Sequence, residues 1–166
     1  MVVVRDTNEG QKLTPEERKL IWSCCSGAKN MIETNPGYYE ALKNNKILYP
    51  HPGHGDVEKD LKRSGLGSQE GKADQITMMR NILGAFISRN PTVGYCQGMN
   101  FITARLLVFL NEEEAFWTLT AMIEQILPID NYSNLVGVLV DQKILQELME
   151  KRVPYLWNHL KQWQET

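Results

Sequence analysis

In this 166-residue chain, one arginine and one glutamine are set apart by their context. Arg63 closes the segment Val57-Glu-Lys-Asp-Leu-Lys-Arg63, and Gln97 lies inside Gly94-Tyr-Cys-Gln-Gly-Met-Asn100. An arginine is always charged and presents a rigid fork of donors, which suits the charge that builds on a transferring phosphoryl group. A glutamine amide can accept from and donate to an attacking water. Taken singly, Arg63 reads as a solvated surface arginine and Gln97 as a turn-stabilising amide. Together they match what hydrolytic phosphoryl transfer needs.

The surrounding elements are helical, with Gly, Pro, Asn and Ser gathered at the joints. A helix from about Asp56 to Arg63 would anchor itself through Val57 and Leu61. Asp60 and Arg63 then project about 60° apart on one side at 100° per residue. Gln97 falls in the tight connection Thr92 to Gln97, ahead of a helix from about Met99 to Leu110. Gly94 and Gly98 there permit unusual backbone angles or close approach by a partner.

Other start signals are compact. Thr14, Pro15 and Glu17 form a capping-box pattern for a first helix that fades near Ser26-Gly27. Asn111 with Glu114 repeats that logic for a helix through Phe116, Leu119 and Ile123. Helices are also expected over about 37–44, 73–89, 136–151 and 154–163. The 73–89 helix keeps Ile76, Met79, Leu83, Phe86 and Ile87 on one face. About eight helices and no strand of useful length result, an all-α chain. Tyr49 to Gly55 and Ser64 to Lys72 are expected as loops, and Trp22, Phe101, Phe116, Trp117 and Trp157 as core.

Bulk composition narrows the function classes. Eighteen Lys and Arg against 20 Asp and Glu give a net charge of −2, without the basic stripe that a nucleic-acid binder uses. The apolar runs fall short of the roughly 18 to 20 residues that cross a bilayer, and Met1 to Arg5 does not read as a secretory leader. Three cysteines, Cys24, Cys25 and Cys96, form no CxxC pair, which fits a reducing, cytoplasmic setting. A hydrolase built on Cys96 lacks a paired histidine. His51 and His54 have a loose HxxH spacing without further ligands, so no metal or cofactor of the chain's own is expected.

Three motifs occur in order: Arg18 to Trp22 as RxxxW; Val57, Asp60 and Arg63 as a variant of IxxDxxR; and Gly94-Tyr95-Cys96-Gln97-Gly98-Met99 as GYxQGM. In these motifs the chain resembles the TBC-domain family, all-helical GTPase-activating proteins for Rab-type small GTPases. The likeness runs from about Leu13 to the end. It covers the amino-terminal portion of the family's domain, with residues 1–12 as a flexible lead and 13–166 as the domain portion. The chain departs from the family pattern at Val57, at Ser64 and in the glycine-rich Ser64 to Lys72.

The resemblance implies that Arg63 and Gln97 enter the active site of a GTP-bound Rab in trans, one as an arginine finger and the other orienting water. GTP and Mg²⁺ would be held by the partner. Arg18, Trp22, Asp60, Tyr95 and Gly98 would support the motifs, with Arg18 and Asp60 aligning the first and third helices through an ion pair or hydrogen bond. The expected setting is vesicle trafficking, at membranes reached through the partner. The competing expectation is a catalytically silent module of the same fold that docks a GTPase or another trafficking protein. A generic helical scaffold explains the core but not the three motifs.

Overall fold

A computed structural model describes residues 13–45, 51–62, 72–128, 130–133 and 136–164. Those residues form ten α-helices and one π-helical turn, with no strand among them. In chain order the helices are α1 (Pro15–Cys25), α2 (Ala28–Thr34), α3 (Tyr38–Asn45), α4 (Gly53–Leu61), α5 (Lys72–Arg89), α6 (Met99–Leu106), α7 (Glu112–Ala121), α8 (Asp130–Ser133), α9 (Val136–Arg152) and α10 (Pro154–Gln164), with the π turn at Met122–Ile126. None of the described helices is long and apolar enough to cross a membrane.

Both capping boxes form. The Thr14 hydroxyl accepts from the Glu17 amide at 3.2 Å while Glu17 accepts from the Thr14 amide at 2.8 Å. Asn111 and Glu114 exchange the same pair of bonds at 2.9 and 3.0 Å. Two helices exceed the eight expected from sequence. One is α2, which starts from Gly27 in the left-handed region at φ 84° without a side-chain cap, and the other is the four-residue α8. Both are too short for a long apolar period, the signal that sequence inspection relies on.

The helix α4 begins three residues ahead of its expected start. Pro52 already has helical angles, φ −51° and ψ −35°, so the chain turns before the glycines can loosen it. Close packing also favours a small residue there: a Cβ at Gly53 would sit 3.1 Å from the Tyr95 amide nitrogen. Downstream, α6 stops at Leu106, and its path to Leu110 tightens into turns such as the Phe109 amide donating to the Leu106 carbonyl at 3.2 Å.

The chain divides into two units between Leu127 and Pro128. In the first, α5 is the central element, packed against α3, α4, α6 and α7. Its residues 81–87 are all buried, so it is covered well beyond the single face that periodicity indicates. Met79, Leu83 and Phe86 meet Phe116, Trp117 and Leu119 of α7 in a core of fully buried side chains. The Tyr39 and Phe116 rings lie 4.9 Å apart, and Phe116 meets Trp117 edge-on at 5.0 Å.

Polar groups fasten this core at its rim. Glu112, in the first turn of α7, accepts from the Tyr39 hydroxyl, from the Asn81 amide at 2.9 Å and from Lys43 at 3.2 Å. One carboxylate thereby joins α3 and α5 to α7. Burial, reinforced by the hydrogen bond to Glu112, holds the Tyr39 phenol far above its ordinary pKa and keeps it a donor.

Three aromatics expected in the core are not fully buried. Trp22 is 40% and Phe101 59% exposed, because α1 buries none of its residues and the two rings face an open groove of about 810 Å³. Helical spacing shows that a face is apolar but cannot show whether another element covers it. In the second unit, α8 and α10 pack on α9, and Trp157 is half-buried, donating to Glu150 at 3.3 Å.

The contrast between these rings gives the first prediction. Phe116→Ala should cost about 3–5 kcal/mol in chemical denaturation, and Phe101→Ala about 0.5 kcal/mol or less. Similar losses for both would mean that the groove is closed in solution.

Candidate functional site

At the carboxyl end of α4, Asp60 points inward and is only 7% exposed, while Val57 and Leu61 on the neighbouring turn are buried in the core. The Tyr95 hydroxyl donates to Asp60 Oδ2 at 2.8 Å, which joins the second motif to the third. A carboxylate taken out of water needs such donors to offset its lost hydration. The Asn100 side-chain amide, itself 2% exposed, reaches the Asp60 carbonyl at 3.4 Å and adds a contact from the first turn of α6. On the outer face of α4, Glu58 pairs with Arg80 and fixes the helix against α5.

Gln97 sits beyond this anchor. It is exposed and lines a small cleft of about 190 Å³ with Asp56, Lys59, Asp60 and Tyr95. Gly98 follows at φ 100° with nothing near its missing Cβ, so the backbone angle rather than space calls for glycine there. That left-handed residue begins α6 and leaves Gln97 outside the helix, with its side chain towards solvent.

The upstream end of the Gln97 loop is held by Glu124 in the π turn. Arg89 donates to it through Nε at 2.8 Å and Nη2 at 3.0 Å, and the Asn90 amide donates at 2.8 Å. Burial acts to raise the Glu124 carboxyl, but the hydrogen bonds from Arg89 and Asn90 outweigh it and hold the group below the usual carboxylate range. Arg89 also lies 5.3 Å from the ring centres of both Tyr38 and Trp117. The Asn90 carbonyl in turn accepts from Val93 at 3.1 Å and Gly94 at 2.8 Å, shaping the turn that leads to Gln97.

The structure brings Asp60, Tyr95 and Gln97 of the proposed set together, with Gly98 beside them. Arg18 and Trp22 lie elsewhere, lining the open groove with Phe101. The expected pairing of Arg18 with Asp60 does not form: Arg18 donates from Nε to the Leu13 carbonyl at 3.3 Å, while Asp60 takes Tyr95. Sequence spacing placed both residues on helices, but only packing decides which pair meets. Arg63 lies outside the described residues; it directly follows Lys62, which caps α4.

Asn100 and Glu124 escaped the sequence analysis as positioning residues, although Asn100 directly follows the third motif. Glu124 carries no local signal, since its partners are 34 and 35 residues away. Cys96 is half-buried, and burial pushes its thiol up, the reverse of an activated nucleophile. No cluster of metal-binding side chains occurs among the described residues.

Comparison with known proteins follows this geometry. The family model described as the Rab-GTPase-TBC domain matches residues 15–165. TBC1 domain family member 2B of Homo sapiens is 34% identical over 155 residues, covering 89% of this chain and 16% of that protein. TBC1 domain family member 2A of Ailuropoda melanoleuca is 37% identical over 153 residues, covering 89% and 17%. Among solved structures, the Chlamydomonas flagellar RabGAP TBC domain superposes with a TM-score of 0.73 at 26% identity, over 95% of this chain and 55% of that one. The chain thus spans about one-sixth of the curated relatives it matches.

The part-buried bond between the two motifs is testable. In a double-mutant cycle on stability, Tyr95→Phe and Asp60→Ala should show a coupling of roughly 1.5 kcal/mol, as for a hydrogen bond to a carboxylate. Additive losses would contradict the link.

Proposed function

We propose a GTPase-activating role for this chain on the premise that it belongs to the Rab-GTPase-TBC domain family. Its partner is a Rab-type small GTPase in the GTP-bound state. The reaction is the partner's own, attack of water on the γ-phosphorus of GTP, and the chain completes that active site without turning over a substrate of its own. GTP and Mg²⁺ are held by the partner.

The observation that carries this proposal is Gln97, exposed at a cleft walled by the buried Asp60 and its half-buried partner Tyr95. Once inserted, its amide oxygen accepts from the attacking water and its amide N–H₂ donates towards the γ-phosphoryl oxygens, setting the in-line approach. Arg63 supplies the positive charge. Its assignment rests on the motif and on its place directly after the α4 cap. A supplied arginine accelerates such hydrolysis by roughly 10³ to 10⁵. Work at trafficking membranes follows from a partner anchored there.

Single-turnover hydrolysis by GTP-loaded Rab proteins, with and without this chain, tests the proposal. We expect acceleration that falls on the order of 10³-fold in Arg63→Ala and on the order of 10²-fold in Gln97→Ala. Tight binding of a GTP-loaded partner without acceleration would replace the activator with a silent docking module.

A further inference from the structure

The His51 ring bridges the start of α4 to the loop that carries Gln97. Its Nδ1 lies 3.0 Å from the Gly53 amide nitrogen, and its Nε2 lies 3.1 Å from the Pro91 carbonyl oxygen. An amide N–H can only donate and a carbonyl can only accept. Both bonds are made at once by the tautomer that carries its proton on Nε2 and leaves Nδ1 as the acceptor.

The fit is tight on a further side. A Cβ built at Gly94, where φ is +63°, would lie 2.7 Å from His51 Cε1. The ring thus occupies the space that a side chain at 94 would need, and a Cβ at Gly53 would lie 3.1 Å from the Tyr95 backbone nitrogen. The loop between Asn90 and Gln97 is then held at three places: Asn90 by Glu124, Pro91 by His51 and Tyr95 by Asp60. Of these, His51 alone fixes the turn at Pro91 to the amino-terminal end of α4, as Asp60 fixes Tyr95 to its other end.

We propose that His51 is a positioning residue for Gln97: it clasps the 91–94 turn to α4 so that the glutamine is presented at a set height and direction. This rests on the proposed role of Gln97. The residue acts through the loop, by its contacts to Gly53 and Pro91, and its contribution is to orientation, where a displacement of about 1 Å can cost on the order of 10²-fold in rate.

The two bonds can be separated by substitution. A glutamine side chain can place an N–H near the position of Nε2, whereas an asparagine can offer an acceptor only near Nδ1 and falls short of Pro91. Amide hydrogen exchange of the free chain and single-turnover rates at saturating GTP-loaded Rab are measured for His51→Ala, His51→Asn and His51→Gln. We expect exchange at Val93, Gly94 and Cys96 to speed up about tenfold or more in His51→Ala and His51→Asn, while core amides of α5 and α7 are unchanged. The saturated rate should fall about tenfold with little change in partner affinity, and His51→Gln should recover most of both.

In a Gln97→Ala background, His51→Ala should cost nothing further. An equal rate loss in both backgrounds, or loop exchange untouched by His51→Ala, would overturn the inference. If Gln97→Ala itself is as active as the parent chain, or the parent accelerates no Rab, the functional proposal fails and the catalytic meaning of the clasp fails with it. The exchange data then report separately whether His51 holds the loop.

Discussion

The Tyr95 hydroxyl and the Asp60 carboxylate meet across 35 residues of sequence, inside a protein that offers Asp60 little water. Separating them would leave a carboxylate poorly solvated, and that cost is what makes the contact a constraint rather than a decoration. Asn100 adds a contact to the Asp60 carbonyl from α6, and Glu58 with Arg80 fixes the outer side of α4. A loop glutamine normally wanders; here the loop is held on rigid helices at both ends, the arrangement that a precise site requires.

The same strategy recurs at a larger scale. Glu112 and Glu124 each gather two or more donors at opposite ends of the α7 and π-turn segment, and each joins elements far apart in sequence. Between them lies an apolar core in which Phe116 and Trp117 are fully buried. The core supplies most of the driving force through burial, while the carboxylates determine which helix ends meet. Arg89 does both, since it bonds Glu124 and lies over two aromatic faces.

How much of this was legible in the sequence depended on the range of the signal. Thr14 with Glu17 and Asn111 with Glu114 are contacts over three residues, and both formed as their spacing indicates. The all-helical class and the family were likewise readable, because the helical period and the order of the motifs are written along the chain. What failed was non-local. The Arg18–Asp60 pairing gave way to Tyr95, and Trp22 and Phe101 turned out to line an open groove; the early start of α4 had instead a local cause, the helical angles already present at Pro52. Of the candidate site, Asp60, Tyr95 and Gln97 could be named but their meeting in one cleft could not. Glu124 and His51 were invisible as positioning groups, since nothing near them in sequence marks their partners.

The proposed role of Gln97, held by the Asp60–Tyr95 anchor, is to act on a partner's phosphoryl-transfer transition state. The most direct measurement is the affinity of this chain for a Rab-type GTPase loaded with GDP alone and with GDP plus aluminium fluoride, which mimics the transferring phosphoryl group. Binding should be at least about 10²-fold tighter to the mimic, as transition-state complementarity requires, with the gain lost in Gln97→Ala. Equal affinity for the two loaded forms would contradict it.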